Sequence, residues 1–278
     1  VRLCYLGSPD DAVPPLRALV AAGHDVALVI TQPDRRRGRG GASTPSPVRR
    51  AAEALGLRVA TPARAVEVLD DLRQLDAELG VVVAFGQLLP TRVLEATRHG
   101  FVNLHFSLLP RWRGAAPVER AILAGDRETG VCLMQVVAEL DAGPLYGCRR
   151  TTIGAAETAG ELRARLVALG TELLLERLPS VPTTEPVPQR GEPTYAAKLT
   201  PDEFRLDPSM APEELLARVR AGNPRPGAWV EVGGRRVKIL RAHLDDGRLV
   251  PDEVQPEGRR PMSYTAWRAG HRVPLPFP

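Results

Sequence analysis

The chain has 278 residues, of which 44% are hydrophobic and 25% charged, and carries a net charge of +4. That length can bury one large core and one small one, and the composition is that of a soluble globular protein, not a disordered or fibrous one. No apolar run reaches membrane-spanning length, and Val1 leads straight into strand-like residues with no signal-peptide pattern, so a cytoplasmic protein without membrane contact is expected.

Cys4, Cys132 and Cys148 are an odd set without metal-type spacing, each in apolar surroundings. Buried thiols and no metal are the expectation. The distribution of charge says more than its sum. Residues 34–50 carry Arg35, Arg36, Arg37, Arg39, Arg49 and Arg50 against Asp34 alone, a local +5, and residues 190–278 carry 15 basic and 12 acidic side chains. Positive charge gathered in one loop and one terminal region suits a polyanionic partner; a solvated Arg-rich loop accounts for it equally well on charge alone.

In chain order, residues 2–6 read as a buried strand, 14–22 as a helix closed by Gly23, and 26–30 as a second strand. This βαβ start implies a doubly wound, mostly parallel sheet of Rossmann-like type. The first turn lacks G-x-G-x-x-G, so a dinucleotide finds little support. The Gly- and Pro-rich stretch up to Pro47 reads as an irregular surface loop. A helix over 48–55, a short strand over 57–60 and a helix over 64–78 follow. Leu79 to Ala84 is continuously apolar, as in a strand at the sheet centre. Phe85, Gly86, Leu88 and Leu89 leave that strand, where open α/β sheets bind ligands.

A short helix at 91–97 leads to Asn103-Leu104-His105-Phe106-Ser107-Leu108-Leu109-Pro110-Arg111-Trp112-Arg113-Gly114. Asn103 and His105 are two apart, so an extended backbone points both to one face. A helix after Pro117 and a strand over 130–137 end at Glu139-Leu140-Asp141-Ala142-Gly143, where a turn-capping Asp is the plain reading. Residues 145–152 read as an edge strand. Thr158 caps an amphipathic helix with Leu162, Leu166, Leu169, Leu173 and Leu174 on its inner side. Five prolines between 179 and 193 then mark a linker. The chain divides into a domain at 1–180, a linker at 181–200 and a small β-rich, partial-barrel module at 201–278.

Asn103-Leu104-His105, Ser107-Leu108-Leu109-Pro110, Arg111 to Pro117, and Leu140-Asp141-x-Gly143 resemble the signature of the formyltransferases that use 10-formyltetrahydrofolate. Gly7-Ser8-Pro9-Asp10, Thr31-Gln32-Pro33-Asp34 with the basic loop, Thr194 to Leu199 and Asn223 to Trp229 are similar to the branch that formylates initiator methionyl-tRNA. Phe106 stands where that family usually has a small residue, and the C-terminal module is short for it.

The resemblance implies a transferase with 10-formyltetrahydrofolate as donor and initiator Met-tRNA as acceptor, working as a monomer. An N-formyltransferase for a small amine or a nucleotide-linked amino sugar is the alternative. Formyl transfer passes through a tetrahedral centre whose oxygen becomes negative, which Asn103 and His105 would meet with N–H donors. The attacking amine must lose a proton, which Asp141 would accept or relay. This chemistry calls for neither metal nor covalent nucleophile. By resemblance, Phe85, Gly86, Leu88, Leu89, Ser107, Leu108, Leu109, Pro110, Glu139 and Leu140 would line the folate site. Arg35, Arg36, Arg37, Arg39 and Lys238 would contact the tRNA.

Overall fold

The structure, a computed structural model, describes residues 1–36, 43–271 and 275–277. In chain order the elements are β1 (Arg2–Gly7), α1 (Val13–Ala21), β2 (Asp25–Ile30), β3 (Arg35–Arg36), β4 (Ser43–Thr44), α2 (Pro47–Ala54), β5 (Val59–Ala60), α3 (Leu69–Gln74), β6 (Leu79–Val83), α4 (Thr91–Leu94), β7 (Phe101–His105), β8 (Arg113–Gly114), α5 (Pro117–Leu123), β9 (Glu128–Gln135), β10 (Leu145–Thr152) and α6 (Ala159–Arg177). After them come β11 (Tyr195–Ala196), α7 (Pro212–Gly222), β12 (Ala228–Val232), β13 (Arg235–Asp245), β14 (Arg248–Pro256), β15 (Met262–Ser263) and α8 (Tyr264–Ala269). The chain divides into two compact units, one of residues 1–113, 130–150 and 164–194, the other of 114–129, 151–163 and 195–278.

The first unit is built on a seven-stranded sheet in the order β10-β9-β7-β6-β1-β2-β5. Strands β1 and β6 are apolar on both faces, and a strand with no polar face is stable only where helices cover both sides. They lie side by side near the middle, parallel to each other and to β2 and β7. Gly80 on β6 is the register partner of the fully buried Phe101 on β7. The missing side chain is what admits the ring, since a Cβ at Gly80 would run into Phe101. Beneath the sheet, Leu6, Ile30, Leu72, Val93 and Phe101 form one core cluster, and the ring of Phe85 belongs to it.

Two strand pairings matter here, within a sheet that is mostly parallel as expected. β9 runs antiparallel to β7, with Asn103 opposite Met134 and His105 opposite Cys132. The end of β9 therefore lies beside the start of β7, where Val136 N–H donates to Phe101 O at 2.7 Å. The cysteines also differ from the three thiols expected, for Cys132 and Cys148 are joined in a disulfide. Gln135 N–H donates to Pro144 O and Ile153 N–H to Arg127 O, and this β9–β10 pairing sets the two cysteines opposite each other with Cα atoms 4.1 Å apart. Only Cys4 keeps a free thiol, and burial pushes it up to about 12.

The stretch read as an irregular loop contains a short hairpin, with Arg35 paired to Thr44 and Arg36 to Ser43. Arg37 and Arg39 lie outside the described residues. Arg49 is held between Asp34 and Glu53, at 2.9 and 2.7 Å, and Arg50 donates to Pro45 O.

The second unit carries an antiparallel sheet in the order β12-β13-β14-β15, packed on α7. The α6 start, which falls in this unit, is closed by a capping box. Thr158 N–H and Oγ1–H both donate to Glu161 Oε2 at 2.9 Å, and Glu161 N–H returns to Thr158 Oγ1. The Arg241 guanidinium first, then the Thr158 donors, hold the Glu161 carboxyl at about 2 against its ordinary 4.5. A depressed carboxyl contributes stability above its unfolded value and loses it as pH falls through the folded one. Arg241→Ala is therefore expected to lower thermal stability above pH 4.5, with the difference from wild type fading between pH 4.5 and 2. The pair is half exposed, so the cost is below about 1 kcal/mol; unfolding scans across that pH range check it.

Among the described residues, no helix is long and apolar enough to cross a membrane, and no His, Cys, Asp and Glu group has the arrangement of a metal site.

Candidate active site

Strand β7 puts the Asn103 and His105 side chains on one face, as a spacing of two requires. Asn103 is half buried and His105 buried. The antiparallel course of β9 means that the loop after it must fold back along the sheet to reach His105. It does so, and His105 Nδ1 lies 3.6 Å from Asp141 Oδ2. That separation is an ion-pair distance and too long for a direct hydrogen bond. On the other side of the ring, His105 Nε2 is 2.8 Å from Trp112 O. A carbonyl only accepts, so Nε2 carries the hydrogen and donates. A neutral ring then faces Asp141 with a bare Nδ1, whereas a charged ring donates toward both partners.

The turn that presents the Trp112 carbonyl is heavily braced. Ser107, fully buried, donates its hydroxyl to Arg111 O at 2.6 Å. Thr194 ties the other side, its Oγ1 accepting from Trp112 N–H at 2.9 Å and its carbonyl from Arg113 N–H at 2.8 Å. Trp112 stands at φ +63°. A bulky side chain rarely adopts that conformation without a local reason, and here it turns the carbonyl onto His105. Asp141 is also left-handed, at φ +47°, which Asp tolerates better than most residues.

The expected folate-lining residues divide into three groups. Leu88 and Leu140 are exposed apolar side chains, 79% and 50% accessible, on the loops after β6 and β9. Gly86 sits at φ +78° beside Phe85, whose carbonyl accepts from Gln32 Nε2 at 3.1 Å. The Phe85 ring lies in the core, so what this residue presents to the loop is backbone. Ser107 is fully buried and its hydroxyl goes to Arg111 O. Leu108, Leu89 and Pro110 are half buried and Leu109 is buried. Glu139 is exposed and pairs with Arg113 at 3.3 Å. Phe106 is buried, so its ring fills space within the protein and does not project into solvent.

Lys238, expected among the tRNA contacts, is half buried; its Nζ donates to Pro226 O at 2.7 Å and its stem packs over Gly227. Arg235 and Arg236 on the same strand are exposed, with the Arg236 guanidinium over the Trp229 ring.

Residues 2–178 match the family model described as formyl transferase, and residues 198–248 the one described as formyl transferase, C-terminal domain. The chain belongs to the formyltransferase family. Relatives of this formyltransferase include the methionyl-tRNA formyltransferases of Ruegeria pomeroyi, 48% identical over 91% of this chain and 85% of that one, and of Paracoccus denitrificans, 45% identical over 99% of each. Among solved structures, the methionyl-tRNA formyltransferase from Clostridium thermocellum aligns with a TM-score of 0.63 at 16% identity, over 92% of this chain and 99% of that one. HypX from Aquifex aeolicus, in complex with tetrahydrofolic acid, aligns with a TM-score of 0.69 at 17% identity, over 96% of this chain and 46% of that one. These last two likenesses speak to the fold.

Sequence reasoning missed Trp112 O as the second partner of His105, because a backbone acceptor has no residue signature. It also missed Gln189. That residue stands among the prolines of the linker, where Pro188-Gln189-Arg190 reads only as spacer.

Proposed function

We propose that this formyltransferase moves the formyl group of 10-formyltetrahydrofolate to the free α-amino group of methionyl-initiator tRNA. The observation that carries the reading is the buried His105 held between Asp141 and the Trp112 carbonyl, on the face that β7 shares with Asn103. The relatives named above, 45% and 48% identical to this chain, support the acceptor. In this reading residues 1–180 perform the chemistry, and one copy of the chain suffices, because all three reacting groups lie between 103 and 141.

Asn103 donates a hydrogen bond to the oxygen that turns negative as the amine adds to the formyl carbon, and the charged ring of His105, whose two N–H groups face Trp112 O and Asp141, supplies positive charge on the same face. In a site that excludes water, one such donor contributes about 3–4 kcal/mol. Asp141 accepts the proton that the attacking nitrogen must lose; as the negative oxygen re-forms the carbonyl, the bond from the formyl carbon to N10 breaks and N10 takes up a proton, leaving as tetrahydrofolate. A flat heteroaromatic donor needs apolar cover and backbone hydrogen bonds. The exposed Leu88 and Leu140, with the left-handed Gly86 between a strand end and a helix, are groups of the right kind. Arg35, Arg36, Arg37 and Arg39 supply the phosphate contacts, since Arg49 and Arg50 are already bound within the protein. A cytoplasmic location goes with this reading.

The test is formylation of Met-tRNA across a salt series. Each neutralised phosphate adds about 0.7–0.9 to the slope of log affinity against log salt. Replacing Arg35, Arg36, Arg37 and Arg39 by Ser is expected to flatten that slope by roughly 3 and raise the tRNA KM, leaving folate affinity unchanged. An enzyme that prefers a small amine and ignores salt would overturn the assignment of the acceptor.

A further inference from the structure

The loop between β9 and β10 has to leave the sheet, run back along it to His105 and return, and Ala142 N–H donates to Glu139 O within it at 3.4 Å. Further bracing comes from elsewhere in the chain. Val187 forms an antiparallel bridge to Leu145, with hydrogen bonds of 2.7 and 2.9 Å. Two residues on, Gln189 Nε2 donates to both Asp141 O and Gly143 O, each at 2.8 Å. Its Oε1 accepts from Arg113 Nη2 at 2.8 Å and from Arg113 Nε at 3.1 Å. Arg113 is buried and also reaches Glu139 at the start of the loop.

A primary amide has two hydrogens to give and two lone pairs to receive. All four are used here. The assignment of oxygen and nitrogen is forced, because Arg113 can only donate and the two carbonyls can only accept. The amide therefore joins the loop that carries Asp141 to Arg113, next in sequence to Trp112, whose carbonyl holds the other side of His105. One side chain thus ties the Asp141 loop to the guanidinium of the residue that follows Trp112.

From this network we infer that Gln189 is a positioning residue for the transfer reaction, fixing the Asp141 loop against His105 through the carbonyls of Asp141 and Gly143. The inference rests on the reading of Asp141 as the proton acceptor. All four hydrogen-bonding positions of the Gln189 amide are used within the protein, so its loss acts on turnover through Asp141. A misplacement of about 1 Å can cost on the order of a hundredfold in rate.

The experiment is a double-mutant cycle between Gln189→Met and Asp141→Asn, assayed with 10-formyltetrahydrofolate and Met-tRNA. Gln189→Met is expected to lower kcat by roughly 10- to 100-fold, with both KM values close to wild type and a melting temperature lowered by the loss of a partner for the buried Arg113. In the Asp141→Asn background the same change is expected to have little further effect, because residues acting as one unit are not additive. Gln189→Glu keeps the acceptor that Arg113 needs and sets a carboxylate against two carbonyls, so it carries the same test if the Met variant does not fold. An unchanged kcat in Gln189→Met, or an equal loss in both backgrounds, would overturn the inference while leaving Asp141 in place. A near-normal Asp141→Asn single variant would instead remove the reading on which it rests.

Discussion

Asp141→Asn is expected to lower kcat by about 10²–10⁴-fold, the range that a positioned acid or base contributes. The substitution is close to isosteric. Asn accepts a left-handed backbone as readily as Asp, so the conformation at φ +47° is retained. The Gln189 bonds go to the carbonyls of Asp141 and Gly143, which the change does not touch. What is lost is the charge beside His105 and the capacity to take a proton. An amide there can still face the ring, but it cannot relieve the attacking amine of its hydrogen. Folate binding, followed by fluorescence titration, should stay near wild type, so that the defect falls on turnover and not on donor affinity. Near-normal turnover would take Asp141 out of the mechanism and leave His105 with the Trp112 carbonyl as its only functional partner.

Much of this architecture is legible in the sequence because it rests on short-range rules. The apolar runs of β1 and β6 have no polar face to expose, which places them inside a covered sheet. The two-residue spacing of Asn103 and His105 puts them on one face whatever surrounds them. Thr158 and Glu161 announce the α6 start through a capping box confined to four residues. What stays hidden depends on pairing over long separations. Nothing local distinguishes a parallel β9 from an antiparallel one, and its direction decides that the Asp141 loop must double back. The Cys132–Cys148 bond follows from the same pairing, so reading each cysteine within its own apolar strand could not reveal it. The bond from Lys238 to Pro226 O, 12 residues away, likewise has no signal in the residue types alone. Gln189, 48 residues from Asp141, has no periodic or motif signal at all.

The second large effect is expected at Gly143. A Cβ placed there would collide with the carbonyl oxygen of Gln135, and the obstacle is backbone, so no side chain can swing aside. Gln135 cannot give way cheaply either. Its N–H is bonded to Pro144 O at 2.8 Å, and the residue sits in the β9 ladder opposite Val102. The loop must therefore move, and its other anchor, the Gln189 bond to Gly143 O, moves with it. Forcing one methyl into a packed position costs about 1–3 kcal/mol, and the displaced loop carries Asp141 away from His105. Gly143→Ala should thus combine a lower melting temperature with a fall in kcat of about a hundredfold or more. Cys132 and Cys148 join β9 to β10 beyond this loop, so the hairpin should persist and the damage stay local. Hydrogen exchange would reveal it as lost protection at Asp141 to Leu145, with β1 and β6 unchanged. Normal turnover with normal protection in that segment would mean that the loop can re-route around Gln135 and still deliver Asp141. The close approach of Gly143 to β9 would then have no bearing on catalysis.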